Sequence, residues 1–312
     1  MARKRKKTTR KKAAAFVTAY ILLAVVIISA AVSILPRWGL PGWNNIYRAT
    51  GLVGNVTQGG EVHFIDVGQG DSVLLSDADE FILIDGGPKA SQTQLLDYLR
   101  GRGITRFEAV FATHLHEDHI GGLALVLSEF PSKSVYIHDG GGGSEKDTKA
   151  VTNLLAAIAS QGLSCSPPKP GEDLTLNRFE LRILAPPAND ESNENNNSTV
   201  IKAQYGKIAF MLTGDAEKES ETAILNSSAD LSATVLKLGH HGSKTSTTEA
   251  FLKAVAPLYA IACCGKSNSY GHPHSEVCAR VERAGAELLR TDMNGTVVFY
   301  TDGEHLDVKT AA

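Results

Sequence analysis

Cysteine is scarce in this chain, and its spacing argues against two classes of small domain. Four cysteines occur among 312 residues, and no two of them have the CxxC spacing. This pattern favours neither a disulfide framework nor a zinc ribbon. The glycine run 140–143 likewise lacks the Lys-Ser/Thr that completes a nucleotide-binding P-loop. A hydrophobic content of 43% is instead typical of a globular protein with an apolar core.

Acidic residues are absent from positions 1–12, and charge of either sign is absent from positions 13–36. The first segment carries eight Lys and Arg side chains, and the second reads AAAFVTAYILLAVVIISAAVSILP. Because about 20 apolar residues in a helix cross a bilayer, we expect one transmembrane anchor over 13–36. A cleaved signal peptide is the alternative, although its apolar core is usually only ~7–15 residues long.

The charge asymmetry predicts how the chain is oriented in the cell membrane. Basic segments stay on the cytoplasmic side, so we expect a cytoplasmic tail at 1–12 and an extracellular domain after the anchor. Residues 37–60 contain Gly, Pro and Asn without periodicity, which indicates a linker before a folded domain at 61–312. The net charge is −3 despite the basic tail, so this domain is acidic, which weighs against duplex DNA binding through an extensive basic face but is compatible with a local basic groove.

The order of apolar runs predicts an α/β fold. EVHFID, SVLLSD and EFILID predict an antiparallel meander at the start of the domain. Further on, strand-like runs such as FEAVFAT and KSVYIH alternate with helical spacing in SQTQLLDYLR and HIGGLALVLSEF. This alternation predicts two sheets with helices packed outside them, a four-layer αββα arrangement.

Histidines cluster directly after the predicted strand FEAVFAT. Residues 113–122 read THLHEDHIGG, so His114, His116, Asp118 and His119 share one loop. Imidazole and carboxylate ligands at this spacing can hold two cations ~3.5–4 Å apart and leave positions open for water and substrate. We expect His114 and His116 to bind one ion, and Asp118 and His119 to bind the other.

The remaining ligands are expected at strand ends later in the chain. MLTGDAE places Asp215 after an apolar strand, where its carboxylate can bridge both ions. LKLGHHGS places His240 and His241 after another apolar strand, with Ser243 close behind. Either histidine can complete the second ion's site, and we expect His240 to be the ligand. The predicted cofactor is therefore a pair of divalent ions, Zn²⁺ or Mn²⁺.

Eight ordered motifs carry a family resemblance: FIDVGQGDSVLL, FILIDGG, THLHEDHIGG, NNNSTVI, MLTGDAE, LKLGHHGS, SNSYGHPH and LLRTDMNGTV. With them the chain resembles the metallo-β-lactamase superfamily, and specifically the outer hydrolase domain of ComEC-type DNA-uptake proteins, over nearly all of 61–308. The resemblance implies the four-layer metallo-β-lactamase fold, two metal ions and a hydrolytic activity. The multi-pass channel region of those proteins has no counterpart in this sequence.

The resemblance also assigns roles to individual residues. Many superfamily members have a third imidazole for the first ion where this chain has Asn197. An amide oxygen is the weaker ligand, so the first site is expected to bind loosely or to prefer Mn²⁺. Asp85 in the first acidic motif is expected to support the histidine loop without binding metal.

Other polar residues are expected around the substrate and in catalysis. Gln69 and Asp71 in the GQGD turn can face the site, and the loop SNSYGHPH can offer hydrogen bonds to a phosphate or oxyanion. The expected catalytic groups are Asp118, which orients water, and His241 or His272, which donates to the leaving oxygen. The remaining residues expected near substrate or behind the ligands are Ser243, Asn268 and Tyr270.

Three functions follow from these expectations. The first is hydrolysis of phosphodiesters in extracellular DNA, which the ComEC-type resemblance implies. The second is cleavage of small or cell-envelope phosphodiesters, because phosphorylcholine esterases have a similar HHGS arrangement. The third is a binding module that assists DNA uptake without turnover. The fold alone does not choose among them, because it serves many chemistries.

Overall fold

The computed structural model describes residues 59–138, 148–186, 190 and 192–311. The strands within these ranges are β1 (Gly60–Phe64), β2 (Val73–Asp77), β3 (Glu80–Ile84), β4 (Ala109–Ala112), β5 (Val135–Ile137), β6 (Cys165–Ser166), β7 (Asp173–Leu176), β8 (Phe179–Ala185), β9 (Val200–Tyr205), β10 (Ile208–Leu212), β11 (Val235–Lys237), β12 (Tyr259–Ala262), β13 (Glu287–Arg290), β14 (Val297–Thr301) and β15 (Leu306–Thr310). The helices are α1 (Gln92–Gly101), α2 (Glu117–Ile120), α3 (Leu123–Glu129), α4 (Lys149–Ser160), α5 (Lys218–Leu225), α6 (Glu249–Val255), α7 (Ser275–Arg283) and α8 (Thr291–Asn294).

The strands of these ranges form two mixed sheets. The first has the order β15-β14-β1-β2-β3-β4-β5-β6, and the second has the order β13-β12-β11-β10-β9-β8-β7. In the first sheet the predicted meander β1-β2-β3 is antiparallel, whereas β3 to β6 run parallel. In the second sheet β7 to β10 are antiparallel and β10 to β13 run parallel. The carboxyl ends of the parallel strands carry the polar motifs.

Side-chain alternation explains how β3 joins two apolar layers. Ile82 and Ile84 belong to the core between the sheets, whereas Phe81 and Leu83 pack with helices on the opposite face. Successive side chains of a strand point to opposite faces. A run that is apolar at every position can therefore be buried on both faces, as in other sheets covered on two sides.

Three apolar cores separate the layers of the domain. The core between the sheets contains Phe64, Phe111, Phe179, Phe210 and Phe299. A second core joins the first sheet to α1–α4, and a third joins the second sheet to α5–α7. This arrangement confirms the predicted α/β fold with two sheets and helices packed outside them.

Two local predictions were wrong. The run HIGGLALVLSEF is not one helix, because it divides into α2 and α3 at Gly121 and Gly122. A Cβ at Gly122 would lie 2.2 Å from the carbonyl oxygen of Gly86, so this turn packs against the loop after β3. The second error is the omission of β13, a strand that pairs with β12 at the edge of the second sheet.

The predicted tail (1–12), the predicted anchor (13–36) and the linker up to residue 58 lie outside the described residues. Among the helices that the structure describes, none is both long and apolar enough to cross a membrane. The membrane anchor and its orientation therefore stay predictions from the charge and hydropathy of residues 1–36.

Candidate metal centre

The loops that leave three strand ends bring the predicted ligands together. His114, His116 and His119 follow β4 of the first sheet. Asp215 follows β10 and the pair His240-His241 follows β11, both in the second sheet. The site therefore lies where the parallel ends of the two sheets meet, which is the common place for ligand sites in α/β folds.

Asp215 lies at the centre of the cluster. Its Oδ2 atom lies 4.0 Å from His114 Nε2, 3.9 Å from His240 Nε2 and 3.3 Å from His241 Nε2. Its Oδ1 atom lies 3.3 Å from His119 Nε2. Ligands ~2.0–2.2 Å from a common ion are separated by roughly these distances. The carboxylate is therefore placed to bridge two ions.

Asp85 fixes the orientation of His119. Its Oδ2 atom accepts from His119 Nδ1 at 2.8 Å and from Thr113 Oγ1 at 2.7 Å, while its Oδ1 atom accepts from the Thr113 amide. Asp85 itself is buried, and its φ of 61° lies in the left-handed region. A proton on Nδ1 leaves the Nε2 lone pair of His119 free for a metal ion.

The two histidines after β11 are oriented in the same way by other partners. His240 Nδ1 lies 2.9 Å from Glu217 Oε1, and His241 Nδ1 lies 2.8 Å from the carbonyl oxygen of Cys263. Because both oxygens accept, each Nδ1 carries a proton, and each Nε2 can give its lone pair to a metal ion. Both Nε2 atoms face Asp215, so both histidines are suited to be ligands.

Buried atoms without partners support the fit of a cation. His119 Nε2 and Asp215 Oδ1 are buried and have no hydrogen-bond partner among the described residues, although they face each other. Leaving such atoms unpaired costs about 1–3 kcal/mol each. A divalent ion would satisfy both. Asp71, His119, Asp215 and His241 each offer a ligand atom, and these atoms lie within 4.8 Å of one another.

The electrostatics of the cluster also favour positive charge. Burial lowers the pKa of His119 and of His241, but neighbouring carboxylates, first that of Asp215, outweigh it and raise both values well above 6.5. Burial raises the pKa of Asp215, and the charges of the same two imidazoles bring it well below its ordinary range. The carboxylates that raise these two pKa values would equally stabilise a bound cation.

Asp118 extends the cluster towards solvent. Its Oδ2 atom lies 3.1 Å from His241 Nε2, and 31% of its side chain is exposed. Burial raises the pKa of Asp118, but the hydrogen bond from His241 and the nearby imidazole charges lower it to about 2. Asp118 therefore offers an ionised oxygen to a metal ion on the open side of the site.

These contacts suit two groups of four ligands that share Asp215. The first group is His114, His116, His240 and Asp215, in which His114 Nε2 lies 3.0 Å from His116 Nδ1. The second group is Asp118, His119, His241 and Asp215. Because His241 Nε2 contacts Asp118, His241 fits the second group, and we infer that His240 serves the first ion, although the sequence motif had suggested the second.

Asn197 is not brought to the first ligand group. Its carboxamide oxygen accepts from the amide of Asp190 at 2.7 Å. Its Nδ2 atom donates to the carbonyl of Asp190 and to Glu194 Oε2. Both ends of the carboxamide are therefore used within its own loop.

Asp71 reaches the centre from behind the imidazoles. Its oxygens lie 3.2 Å from His241 Nδ1 and 3.8 Å from His119 Nδ1, on the side away from Asp215. Asp71 also lies 2.6 Å from Nζ of the buried Lys237. Burial lowers the pKa of Lys237, but the charges of Asp71 and then Asp215 raise it above its ordinary value. Asp71 is therefore better suited to orienting the rings than to binding metal, even though it belongs to the four-residue group.

The open side of the centre is a pocket of about 340 Å³. Its walls include Gln69, Tyr270 and His272 together with the exposed edges of the ligand groups. Burial, followed by the charges of His241 and His240, lowers the pKa of His272 to about 4. His272 therefore faces the pocket as a neutral imidazole.

Two predicted contact residues hold loops and do not line the pocket. Asn268 donates to the carbonyls of Gly265 and His272 and accepts from the His272 amide. Ser243 Oγ lies 3.0 Å from Thr245 Oγ1. Both residues shape the loops around the pocket through hydrogen bonds.

Comparison with known proteins agrees with this geometry. Residues 65–266 match the model of the metallo-beta-lactamase superfamily. The chain belongs to this superfamily. A solved metallo hydrolase from the archaeon Ignicoccus hospitalis shares the fold, with a TM-score of 0.53 and 17% identity over 78% of this chain and 100% of that one.

Competence proteins are among the similar curated proteins. ComE operon protein 3 of Bacillus subtilis is 35% identical over 77% of this chain and 33% of its own length. Competence protein ComA of Neisseria gonorrhoeae is 30% identical over 75% of this chain and 31% of its own length. The chain thus spans about a third of the relatives it matches. Family and candidate metal group together identify a metallo-β-lactamase-fold hydrolase.

Sequence reasoning missed two charged side chains of this superfamily site. Glu217 lies two residues after Asp215 in the motif MLTGDAE, and Lys237 is the lone charge in the apolar strand run ATVLKL. A lysine within a run predicted to be buried must have a carboxylate or carbonyl partner. That rule could have indicated Lys237 as part of a polar cluster.

Proposed function

We propose that this chain hydrolyses phosphodiester bonds, with extracellular DNA as its main substrate class. The observation that carries the proposal is the position of Asp215, whose carboxylate lies within 4.0 Å of the Nε2 atoms of four histidines, His114, His119, His240 and His241. Two-metal centres of this kind act on in-line displacement at phosphorus in phosphatases and nucleases. The likeness to competence proteins supports DNA as the substrate.

The residues around the centre divide the chemical tasks. A bound pair of divalent ions, Zn²⁺ or Mn²⁺, would lower the pKa of water and stabilise negative charge on the phosphoryl oxygens. Asp118, ionised and partly exposed, accepts a hydrogen bond from the attacking water and thereby orients it. His272, neutral in the pocket wall, donates an N–H to the leaving oxygen.

The proposal includes a location for the enzyme. The basic tail 1–12 stays in the cytoplasm, residues 13–36 anchor the chain in the membrane, and the hydrolase domain lies outside the cell. The support is the excess of Lys and Arg before an uncharged apolar run. At that position the active site meets substrates of the cell envelope and the medium.

One observation favours a second candidate, the hydrolysis of small or cell-envelope phosphodiesters. No Lys or Arg is among the residues that line the pocket in the described part of the chain. Nucleic-acid grooves usually carry several such residues, because phosphate contacts supply much of the affinity. A short ester of the phosphorylcholine or teichoic type would not need them.

The deciding experiment measures hydrolysis by the full chain in detergent with Mn²⁺ or Zn²⁺. The substrates are single-stranded DNA, duplex DNA and bis(p-nitrophenyl) phosphate. The proposal expects cleavage of DNA and of the chromogenic ester. Cleavage of the chromogenic ester but not of DNA would select the second candidate. If the protein binds no metal and cleaves none of the substrates, both candidates are refuted, and the remaining function is that of a binding accessory in DNA uptake.

The matched variants are Asp118→Ala and Asp97→Ala. Loss of the Asp118 ligand should reduce the rate more than about 100-fold, because even residues behind metal ligands commonly contribute 10–100-fold. Asp97 is a 68% exposed carboxylate of α1, so its removal should leave the rate unchanged. Full activity of the Asp118→Ala variant would remove Asp118 from the mechanism.

A further inference from the structure

Tyr270 is a largely exposed aromatic residue that lines the pocket on the open side of the metal centre. Its side chain is 65% exposed, and its ring stacks on His272 with centroids 5.6 Å apart and planes inclined by 19°. The other exposed large apolar side chains in the described residues are Leu155, Leu258 and Met293, and none of them lines this pocket. Isolated exposed apolar residues are ordinary, but a stacked aromatic beside a metal centre offers a flat binding face.

The loop that carries Tyr270 is held in place before any ligand arrives. Asn268 cross-links it through hydrogen bonds of 2.9 Å to the Gly265 carbonyl, 2.7 Å to the His272 carbonyl and 2.9 Å from the His272 amide. Gln69 Oε1 accepts from the amide of Gly265 and ties the loop to the turn after β1. A ligand that uses this face therefore loses little affinity to ordering of the loop.

The residues that line the pocket favour a flat aromatic ligand over a cationic one. A quaternary ammonium group is recognised by several aromatic faces arranged as a cage, but Tyr270 is the one Phe, Tyr or Trp among the lining residues in the described part of the chain. A nucleobase needs one open face. Since the lining also lacks Lys and Arg, stacking would carry a large share of the affinity for a nucleotide.

We propose that Tyr270, stacked on His272, is a base-stacking subsite that selects single-stranded nucleic acid for the metal centre. Within a duplex each base is covered by its neighbours, so only an unpaired nucleotide can place its face on the ring while its phosphate enters the pocket. This inference rests on the proposed phosphodiesterase function and specifies the strand form of its substrate.

The test is a binding cycle that varies the protein and the base independently. Fluorescence anisotropy measures binding of the full chain with Mn²⁺ to a fluorescein-labelled oligothymidylate with a cleavage-resistant phosphorothioate backbone. The second probe has the same backbone with abasic sites, and the third is a duplex. The proteins are the native chain, Tyr270→Ala, Tyr270→Phe and the control Leu258→Ala, which removes a 59% exposed side chain away from the pocket.

The subsite predicts one pattern. Tyr270→Ala should weaken oligothymidylate binding about 10-fold, within the roughly 5- to 150-fold range that stacking of one base contributes. Tyr270→Phe and Leu258→Ala should stay within about twofold of the native chain, since both keep the aromatic face. Binding of the abasic and duplex probes should not depend on Tyr270, because neither offers a free base face.

Three outcomes would overturn the subsite. They are equal losses with oligothymidylate and abasic probes, no loss in the Tyr270→Ala variant, and Tyr270-dependent competition by phosphorylcholine, which would assign the ring to a cation. Turnover of bis(p-nitrophenyl) phosphate separates the two proposals. If the ester is cleaved without a Tyr270 effect on binding, the subsite alone fails; if the effect appears without turnover, the proposed hydrolysis alone fails.

Discussion

The buried ion pair behind the metal centre should contribute strongly to folding. Lys237 Nζ lies 2.6 Å from Asp71 Oδ2, both side chains are 2% exposed, and Nζ also donates to the carbonyls of Gly214 and Leu238. Replacing Lys237 with Met leaves a buried carboxylate without its main counter-charge. Breaking such a pair costs about 3–5 kcal/mol. For a domain of this size that corresponds to a fall in Tm of roughly 6–20 °C.

The double variant Asp71→Asn with Lys237→Met separates the charge effect from simple packing. It removes both charges together, so its loss of stability should be smaller than the sum of the two single losses by several kcal/mol, as is usual for residues in contact. The metal affinity of the double variant should stay reduced, because the Nδ1 atoms of His119 and His241 lose the carboxylate behind them.

Thermal unfolding of the full chain in detergent with EDTA, followed by circular dichroism, gives the stability values. Lys202→Met is the matched control, because Lys202 is also buried but pairs with Asp230, whose side chain is 73% exposed. When an ion pair is broken and the remaining charged side chain is solvated by water, the loss of stability is only about 0–1 kcal/mol. If Lys237→Met costs no more than Lys202→Met, or if the two losses in the double variant simply add, the ion pair does not have this role.

Two further predictions concern the metal ions. Asp85→Asn should weaken metal binding about 10–100-fold in isothermal titration calorimetry, because the hydrogen bond that orients His119 loses its charge. Unchanged metal affinity would contradict this role of Asp85. Asp97→Asn serves as the control. Zn²⁺ or Mn²⁺ at ~100 times its Kd should stabilise the EDTA-treated chain by about 2.7 kcal/mol for one site in differential scanning calorimetry. The same addition should leave the Asp215→Ala variant unshifted, and an equal shift in both proteins would place the ions elsewhere.

Much of the fold could be predicted because apolar periodicity is a local property. The runs EVHFID, SVLLSD and EFILID became β1, β2 and β3 with the expected antiparallel pairing. The break between α2 and α3 could not be predicted in this way. At this break Gly122 packs so closely against Gly86 that a Cβ at Gly122 would lie 2.2 Å from the Gly86 carbonyl oxygen. The two residues are distant in sequence, so the contact could not be predicted from local periodicity.

In the candidate site, too, residues close in sequence could be predicted to lie together, whereas contacts between distant residues could not. Spacing alone predicted that His114, His116, Asp118 and His119 lie together, because all four fall within a short stretch after a strand, in the loop after β4 and in α2. The partner of Lys237 could not be read in this way, since Asp71 precedes it by more than a hundred residues. A buried charge signals that a partner exists, but only the tertiary structure identifies it.

The adjacent histidines after β11 show why their roles stayed open in the sequence. In a strand, consecutive side chains point to opposite faces, so one of the two would turn away from the metal centre. His240 and His241 instead have φ values of 48° and 54°, a left-handed turn that costs non-glycine residues roughly 1–2 kcal/mol each. That turn brings both Nε2 atoms to Asp215 Oδ2, and hydrogen bonds from Nδ1 to Glu217 and to the Cys263 carbonyl offset the strain. The choice between the two histidines therefore has no single answer, because the strained turn brings both of them to the metal centre.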